Sequence, residues 1–282
     1  NVVAGQNISD DIHLDNVFKA NIDASNVYTT WDEFYNVINR CNTVIQFAPQ
    51  VAEKDLSFTE SELRATIAEM TALRSLCYFY LIRTFRDVPY TTTAFLSDDQ
   101  VMDLPATKFD VVLDSLIQDL ERVRPDAVKK YPETQPLYQT GRITQDAIHA
   151  MLCEMYLWKK DYQNCIRYAD LVIDAKKKEK EENDKKANGA SSAQNRGTGI
   201  DGFPLISSSY REGGNSFGQA YYYIFGQGNS SESIFELTFM DDDNMPSNGA
   251  VNAFYGNVEK PIGYAAPSPS VGQDVSNKIY AI

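Results

Sequence analysis

AEMTALRSLCYFYLIRTFRDVPY, residues 68–90, decides the architecture. With the residues just ahead of it, Leu63, Ile67, Met70, Cys77, Leu81 and Phe85 recur at helical spacing and predict a long helix with one buried face. Ala65, Ala68 and Ala72 leave room for a second helix to approach closely. Thr59-Glu-Ser-Glu62 is a capping box that starts the element, and Pro89 is expected to end it. A second stretch, GRITQDAIHAMLCEMYLWKKDYQNCIRYADLVID over residues 141–174, reads as a helix pair.

Working outward, the same grammar places three more helical patterns. Thr30-Trp-Asp-Glu33 is read as another capping box, followed by Trp31, Phe34, Ile38, Cys41, Ile45 and Ala48 on one stripe until Pro49 stops it. Thr107 is expected to cap a helix with Asp110, carrying Phe109, Val112, Leu113, Leu116, Ile117 and Leu120 as far as Pro125. In the pair, Thr144 caps a helix bearing Ile148, Met151, Leu152 and Met155, Lys159 and Lys160 suit its C-terminus, and Asp161 caps the next. That next helix is expected to bury Tyr162, Ile166, Ala169, Val172 and Ile173. Residues 144–174 approach the 34-residue period of a tetratricopeptide hairpin. The predicted class is mainly α, built of tetratricopeptide-like helical hairpins in an α-α superhelix, with a loop-rich region and a few short strands.

Residues 1–175 therefore form the expected helical scaffold. KKKEKEENDKK, residues 176–186, either extends the last helix or forms a solvated loop. Beyond it lie 13 of the 15 glycines and no sustained helical period, so residues 176–282 are expected to be a loop-rich, aromatic-containing part of the same domain. Within them SIFELTFM, residues 233–240, alternates like a strand.

Composition removes several functions. Thirty-nine acidic against 26 basic residues, a net charge of -13, repel nucleic-acid backbones and anionic lipid head groups. No apolar run of about 18 residues is present to span a bilayer. Four dispersed cysteines, Cys41, Cys77, Cys153 and Cys165, lack metal-binding spacing and read as buried thiols, with a Cys153–Cys165 bridge across the hairpin left open. Two histidines, His13 and His149, give no material for a multi-histidine metal site, and His149 reads as a packed helix residue. Gly214-Asn-Ser-Phe-Gly218 matches a nucleophile elbow, but both histidines precede it and no strand-helix alternation surrounds it. Asp241-Asp242-Asp243-Asn244 lacks the spacing of a calcium loop and reads as a solvated acidic turn. No catalytic residue, metal or cofactor is predicted.

What remains is FPLISSSYREGGNSFGQAYYY, residues 203–223, in which aromatics interleave with polar side chains. Aromatic faces stack on the apolar faces of sugar rings while neighbouring polar groups bond hydroxyls; local packing is the competing use. Tyr210, Phe217 and Tyr221 are the candidate ligand contacts here. The loop after Pro89, TTTAFLSDDQ, adds Phe95, Asp98 and Asp99 with equal weight.

These stretches together resemble the SusD/RagB family of nutrient-binding outer-membrane lipoproteins. The resemblance is carried by Trp31-x3-Tyr35-x6-Asn42, by Glu69–Arg74 running into Tyr78–Leu81, and by Phe85-Arg-Asp-Val-Pro89. Asp119-Leu120, Gly141–Ala147, Tyr156-Leu-Trp158 and Gly228–Leu237 continue it in family order. Arg86 departs from it, standing where the family usually has glycine. The resemblance implies a surface-exposed lipoprotein without a catalytic task, which captures an oligosaccharide, or a peptide in the RagB branch, and passes it to a SusC-like TonB-dependent transporter. It also implies a longer chain with an N-terminal signal and lipid-bearing Cys, of which the present sequence would be an N-terminal portion. The alternative is a helical-repeat protein-protein interaction module whose aromatics serve packing.

Overall fold

A computed structural model describes residues 2–4, 12–97, 99–100, 103–187, 205–206, 224–225, 228–237 and 265–267. In chain order the elements are β1 (Val2–Ala4), α1 (Ile12–Phe18), α2 (Asp32–Lys54), α3 (Glu60–Phe85), β2 (Val88–Pro89), β3 (Ala106–Thr107), α4 (Phe109–Val123), α5 (Tyr138–Gly141), α6 (Gln145–Trp158), α7 (Tyr162–Ala187) and β4 (Ala265–Pro267). Short 3-10 turns occupy Val27–Thr29 and Arg124–Asp126. The class is mainly α, as expected, and the chain forms two compact units.

The larger unit, Trp31–Glu236, is a stack of helical hairpins. Trp31 meets Phe85, and Phe34 stacks on Tyr80, so α2 and α3 run antiparallel. Lys159 on Asp114 and Trp158 on Phe109 fix α6 antiparallel to α4, while Cys153 opposite Cys165 does the same for α6 and α7. Ile38, Tyr78, Phe79, Leu81, Leu116, Leu120, Ile148, Leu152, Met155 and Tyr168 are buried to 1% exposure or less and fill the space between these hairpins. Helix α3 is central. Beyond its predicted stripe it buries Thr71, Arg74 and Ser75, because other helices cover it on more than one side.

Helix α3 starts at the predicted box: Glu62 N donates to Thr59 Oγ1 at 3.2 Å, and Thr59 N to Glu62 Oε2 at 2.8 Å. It ends at Phe85, four residues before Pro89, because Arg86 takes φ 70°. The box predicted at Thr30 does not form; Trp31 is the cap residue of α2 and makes no side-chain capping bond. Nor does Pro49 stop α2, which continues to Lys54. A proline forfeits one ladder bond, but its fixed φ is helical, and Asp55 N closes the end on Val51 O at 2.8 Å. Thr107 does not cap α4 either. Asp87 does so from the far side of the intervening loop, accepting from Phe109 N at 3.0 Å.

Thr144 and Asp161 cap α6 and α7 as predicted, accepting from Ala147 N at 3.4 Å and Asn164 N at 3.1 Å. Between them Lys160 adopts φ 63°, with Asp161 N bonded to Tyr156 O at 2.9 Å and Lys160 N to Leu157 O at 3.0 Å. This paired closure is a Schellman motif. Helix α7 runs through the mixed-charge segment to Ala187. Its inward face is Tyr168 and Val172; Tyr162 and Ile166, expected in the core, are each 60% exposed. Tyr168 instead stacks on Tyr156 with ring centroids 5.7 Å apart, and this large contact sets the helix rotation.

Of the strand expected over residues 233–240, residues 233–237 do not form one, and residues 238–240 lie outside the described residues. Glu236 turns back on its own segment, accepting from Asn229 N at 2.7 Å and from the Ser233 hydroxyl, so Ile234 and Phe235 both pack on the core and Leu237 is 70% exposed. Gly228 permits this with φ 68°; a Cβ there would lie 2.9 Å from Glu236 Oε2. Glu236 N donates to Thr140 O at 2.9 Å, and Lys176 Nζ to Ser233 O at 2.7 Å, tying the turn to α5 and α7.

The smaller unit comprises residues 1–30 and 237–282. In it β1 pairs antiparallel with β4, Val3 opposite Ala266. Buried Asn26 links α1 to the first 3-10 turn: its Nδ2 donates to His13 O at 2.8 Å, and its Oδ1 accepts from Tyr28 N at 3.0 Å.

Candidate functional site

The loop between α3 and α4 is held by side chains of the scaffold. Val88–Pro89 pairs with Ala106–Thr107, which closes the neck of the excursion. Tyr35 OH donates to Pro89 O at 2.7 Å. Tyr78 OH donates to Thr91 O at 2.9 Å and accepts from Thr91 N at 3.0 Å. Asn42 Nδ2 donates to Thr93 O at 3.0 Å. Asn39 grips Phe95 twice, donating to its carbonyl at 2.9 Å and accepting from its N–H at 2.8 Å. Tyr35, Asn39 and Asn42 share one face of α2 and hold Pro89, Phe95 and Thr93, while Tyr78 of α3 holds Thr91, so two helices together bond alternate residues of the segment.

Behind the clamp lies a buried charge. Arg74, 4% exposed, donates to Asn42 Oδ1 at 2.8 Å and to Asp119 Oδ2 at 2.7 Å. A guanidinium only donates, so it requires the amide oxygen of Asn42 to face it and leaves the amide nitrogen for Thr93. The ion pair thereby orients the clamp. Gln100 finishes the loop, donating to Ala94 O at 3.2 Å and accepting from Ser97 N at 3.1 Å and from Leu96 N. With its backbone committed inward, the loop presents a half-buried Phe95, with Leu96 and Asp99 exposed.

Phe95 and Asp99 thus lie on the same braced loop. Asp98, Tyr210, Phe217 and Tyr221 lie outside the described residues. Sequence reasoning missed Asn39 and Arg74 as supports, although Tyr35 and Asn42 stood in its Trp31-x3-Tyr35-x6-Asn42 spacing. The available signal was polar Asn39 and Asn42 beside apolar Ile38 and Cys41 on the same helix.

Further exposed aromatics lie along the C-terminal half of α3, where the start of α2 packs on one part of it and the end of α6 on another. Trp31, Tyr80 and Trp158 are 39%, 48% and 47% exposed. Arg83 lies over the Phe79 and Tyr80 rings at 4.3 and 4.7 Å and pairs with Glu154 at 2.6 Å. Elsewhere, Arg142 donates through Nε to Glu69 Oε1 at 2.9 Å and through Nη2 to the other carboxylate oxygen, above the edge-to-face pair Tyr131 and Tyr138. Among the described residues no group of three or more His, Cys, Asp or Glu is placed to hold a metal ion, and no helix is long and apolar enough to cross a membrane.

Residues 3–157, more than half of the chain, match the family model described as SusD-like, starch-binding associating with outer membrane. SusD-like protein P38 of Formosa agariphila is 31% identical over 137 residues, which are 48% of this chain and 24% of that protein. The surface glycan-binding protein A of Bacteroides uniformis superposes with a TM-score of 0.52 at 25% identity, over 61% of this chain and 37% of that one. A laminarin-binding SusD-like protein superposes with a TM-score of 0.52 at 24% identity, over 60% and 35% respectively, a likeness of fold. The chain therefore spans about a quarter of the length of the curated relative and little more than a third of these solved chains.

Proposed function

The chain belongs to the SusD-like family, and from that premise we propose that it is a glycan-binding protein of the cell surface, without catalytic activity, that hands oligosaccharide to a SusC-like TonB-dependent transporter in the outer membrane. Lipid anchoring of the complete protein belongs to the same proposal. The observation that carries it is the family match over residues 3–157, supported by relatives named for laminarin and surface-glycan binding.

The braced loop supports the reading physically. A ring that stacks on sugar binds better when its backbone is already fixed, because less conformational freedom is lost on binding. Phe95 has that property, and exposed Asp99 on the same loop offers acceptors for hydroxyls. Asp98, Tyr210, Phe217 and Tyr221 complete the proposed contact set. The band of Trp31, Tyr80, Arg83 and Trp158 has the residue types that dominate protein interfaces, and we assign it to the transporter.

Affinity electrophoresis through gels containing laminarin, starch or other soluble glycans tests the reading. Retardation by at least one glycan is expected, and Tyr210→Ala, Phe217→Ala and Tyr221→Ala are expected to weaken it. Retention of peptides but of no glycan would move the protein to the RagB-like branch. Copurification with a barrel without affinity for either ligand would favour the interaction module.

A further inference from the structure

Helices α6 and α7 fold back on each other across the turn at residues 159–161. Cys153 and Cys165 stand six residues before and six after Lys159, and their Sγ atoms lie 3.6 Å apart, in contact. A disulfide needs about 2.05 Å. The remaining approach is about 1.5 Å, and the two side chains already face each other across the hairpin. The intervening turn fixes the register, since the Asp161 N–H to Tyr156 O and Lys160 N–H to Leu157 O bonds close α6 just before α7 begins. Both thiols are half-buried, within reach of an oxidant, whereas Cys41 and Cys77 are sealed in the core at 2% and 8% exposure.

We propose that Cys153 and Cys165 form a disulfide that staples the α6–α7 hairpin. The oxidant is a disulfide of the thiol-exchange class. One cysteine loses its proton and attacks a sulfur of that disulfide, giving a mixed disulfide and releasing the oxidant's first thiol. The second cysteine loses its proton and attacks the protein sulfur of the mixed disulfide, forming the Cys153–Cys165 bond and releasing the second thiol. Two S–H bonds and the oxidant's S–S bond are broken, one S–S bond and two thiols are formed, and two electrons pass to the oxidant. Burial and the neighbouring Cys165 sulfur hold the Cys153 thiol above its ordinary range, so thiolate is scarce at neutral pH. Such a pair closes slowly and serves as a lasting staple. The inference rests on hairpin geometry alone and stands apart from the glycan reading.

The full chain is equilibrated in glutathione and glutathione disulfide, then denatured and its thiols counted. Two of the four thiols are expected to remain, with the mass lower by two hydrogens and the Cys153 and Cys165 peptides joined. Reductant is expected to shift the unfolding equilibrium roughly tenfold to a hundredfold toward the unfolded state. The Cys153→Ser, Cys165→Ser double variant is expected to be insensitive to it. Four free thiols, a bridge that includes Cys41 or Cys77, or equal reductant sensitivity of the double variant would overturn the proposal.

Discussion

Arg86 carries the most informative backbone angle in the chain. At φ 70° and ψ -89° its Cβ is crowded against its own peptide, a conformation that glycine adopts at little cost. Its guanidinium lies 5.8 Å from the Phe109 ring, too loosely to offset that strain. Arg86→Gly is therefore expected to stabilise the protein by about 1 kcal/mol, read as a higher urea midpoint with unchanged slope. A loss of stability would show that the Phe109 contact outweighs the backbone term. Gly228 is the reverse case. Its positive φ disfavours a side chain, and an added Cβ would push the Glu236 carboxylate off Asn229 N, so Gly228→Ala is expected to cost about 1–3 kcal/mol and expose the 228–236 turn to protease. Protease resistance equal to that of the unaltered chain would contradict this.

Among the elements, the loop from Val88 to Gln100 depends on groups far away in sequence. Asn42→Ala removes the bond to Thr93 O and leaves a buried donor of Arg74 without its acceptor, so a loss of about 2–3 kcal/mol is expected. Hydrogen exchange should accelerate selectively at Thr91, Thr93 and Phe95; uniform acceleration across the helices would deny the loop its special dependence. The helices themselves were legible because their signals are local: Thr59 with Glu62, Thr144, Asp161, and the stripe from Ile148 to Met155. Pro49 and Thr30 misled because a proline removes only one bond, and because a capping pattern does not compel the cap. The clamp on Phe95 was not legible, since Asn39 joins it across 56 positions. Likewise, the alternation in residues 233–240 pointed to a strand, but Glu236 is drawn inward by Asn229 and Ser233.

For the molecule as a whole, alkaline pH reports on the core. Desolvation pushes Cys41 from the ordinary 9.0 up to about 11, Cys77 up to about 12, and Tyr35 from 10.0 up to about 12. A raised folded value means that the unfolded chain releases these protons first. The stability they contribute is full below about pH 9 and is lost as pH rises through 11 and 12. Urea midpoints should accordingly be level to pH 9 and fall beyond it; a midpoint that rises there would contradict the burial of these groups. The family match covers the helical portion, whose packing is laid down by periodic apolar residues, whereas ligand preference depends on loop side chains that follow no period. The most direct test of the central claim is calorimetric titration of the chain with oligosaccharides of the laminarin and starch series. Saturable binding of at least one series is expected, weakened about tenfold by Phe95→Ala, the loss of one stacked ring, with the unfolding midpoint little changed. No heat with any oligosaccharide, or binding indifferent to Phe95 and to Tyr210, Phe217 and Tyr221 together, would contradict it.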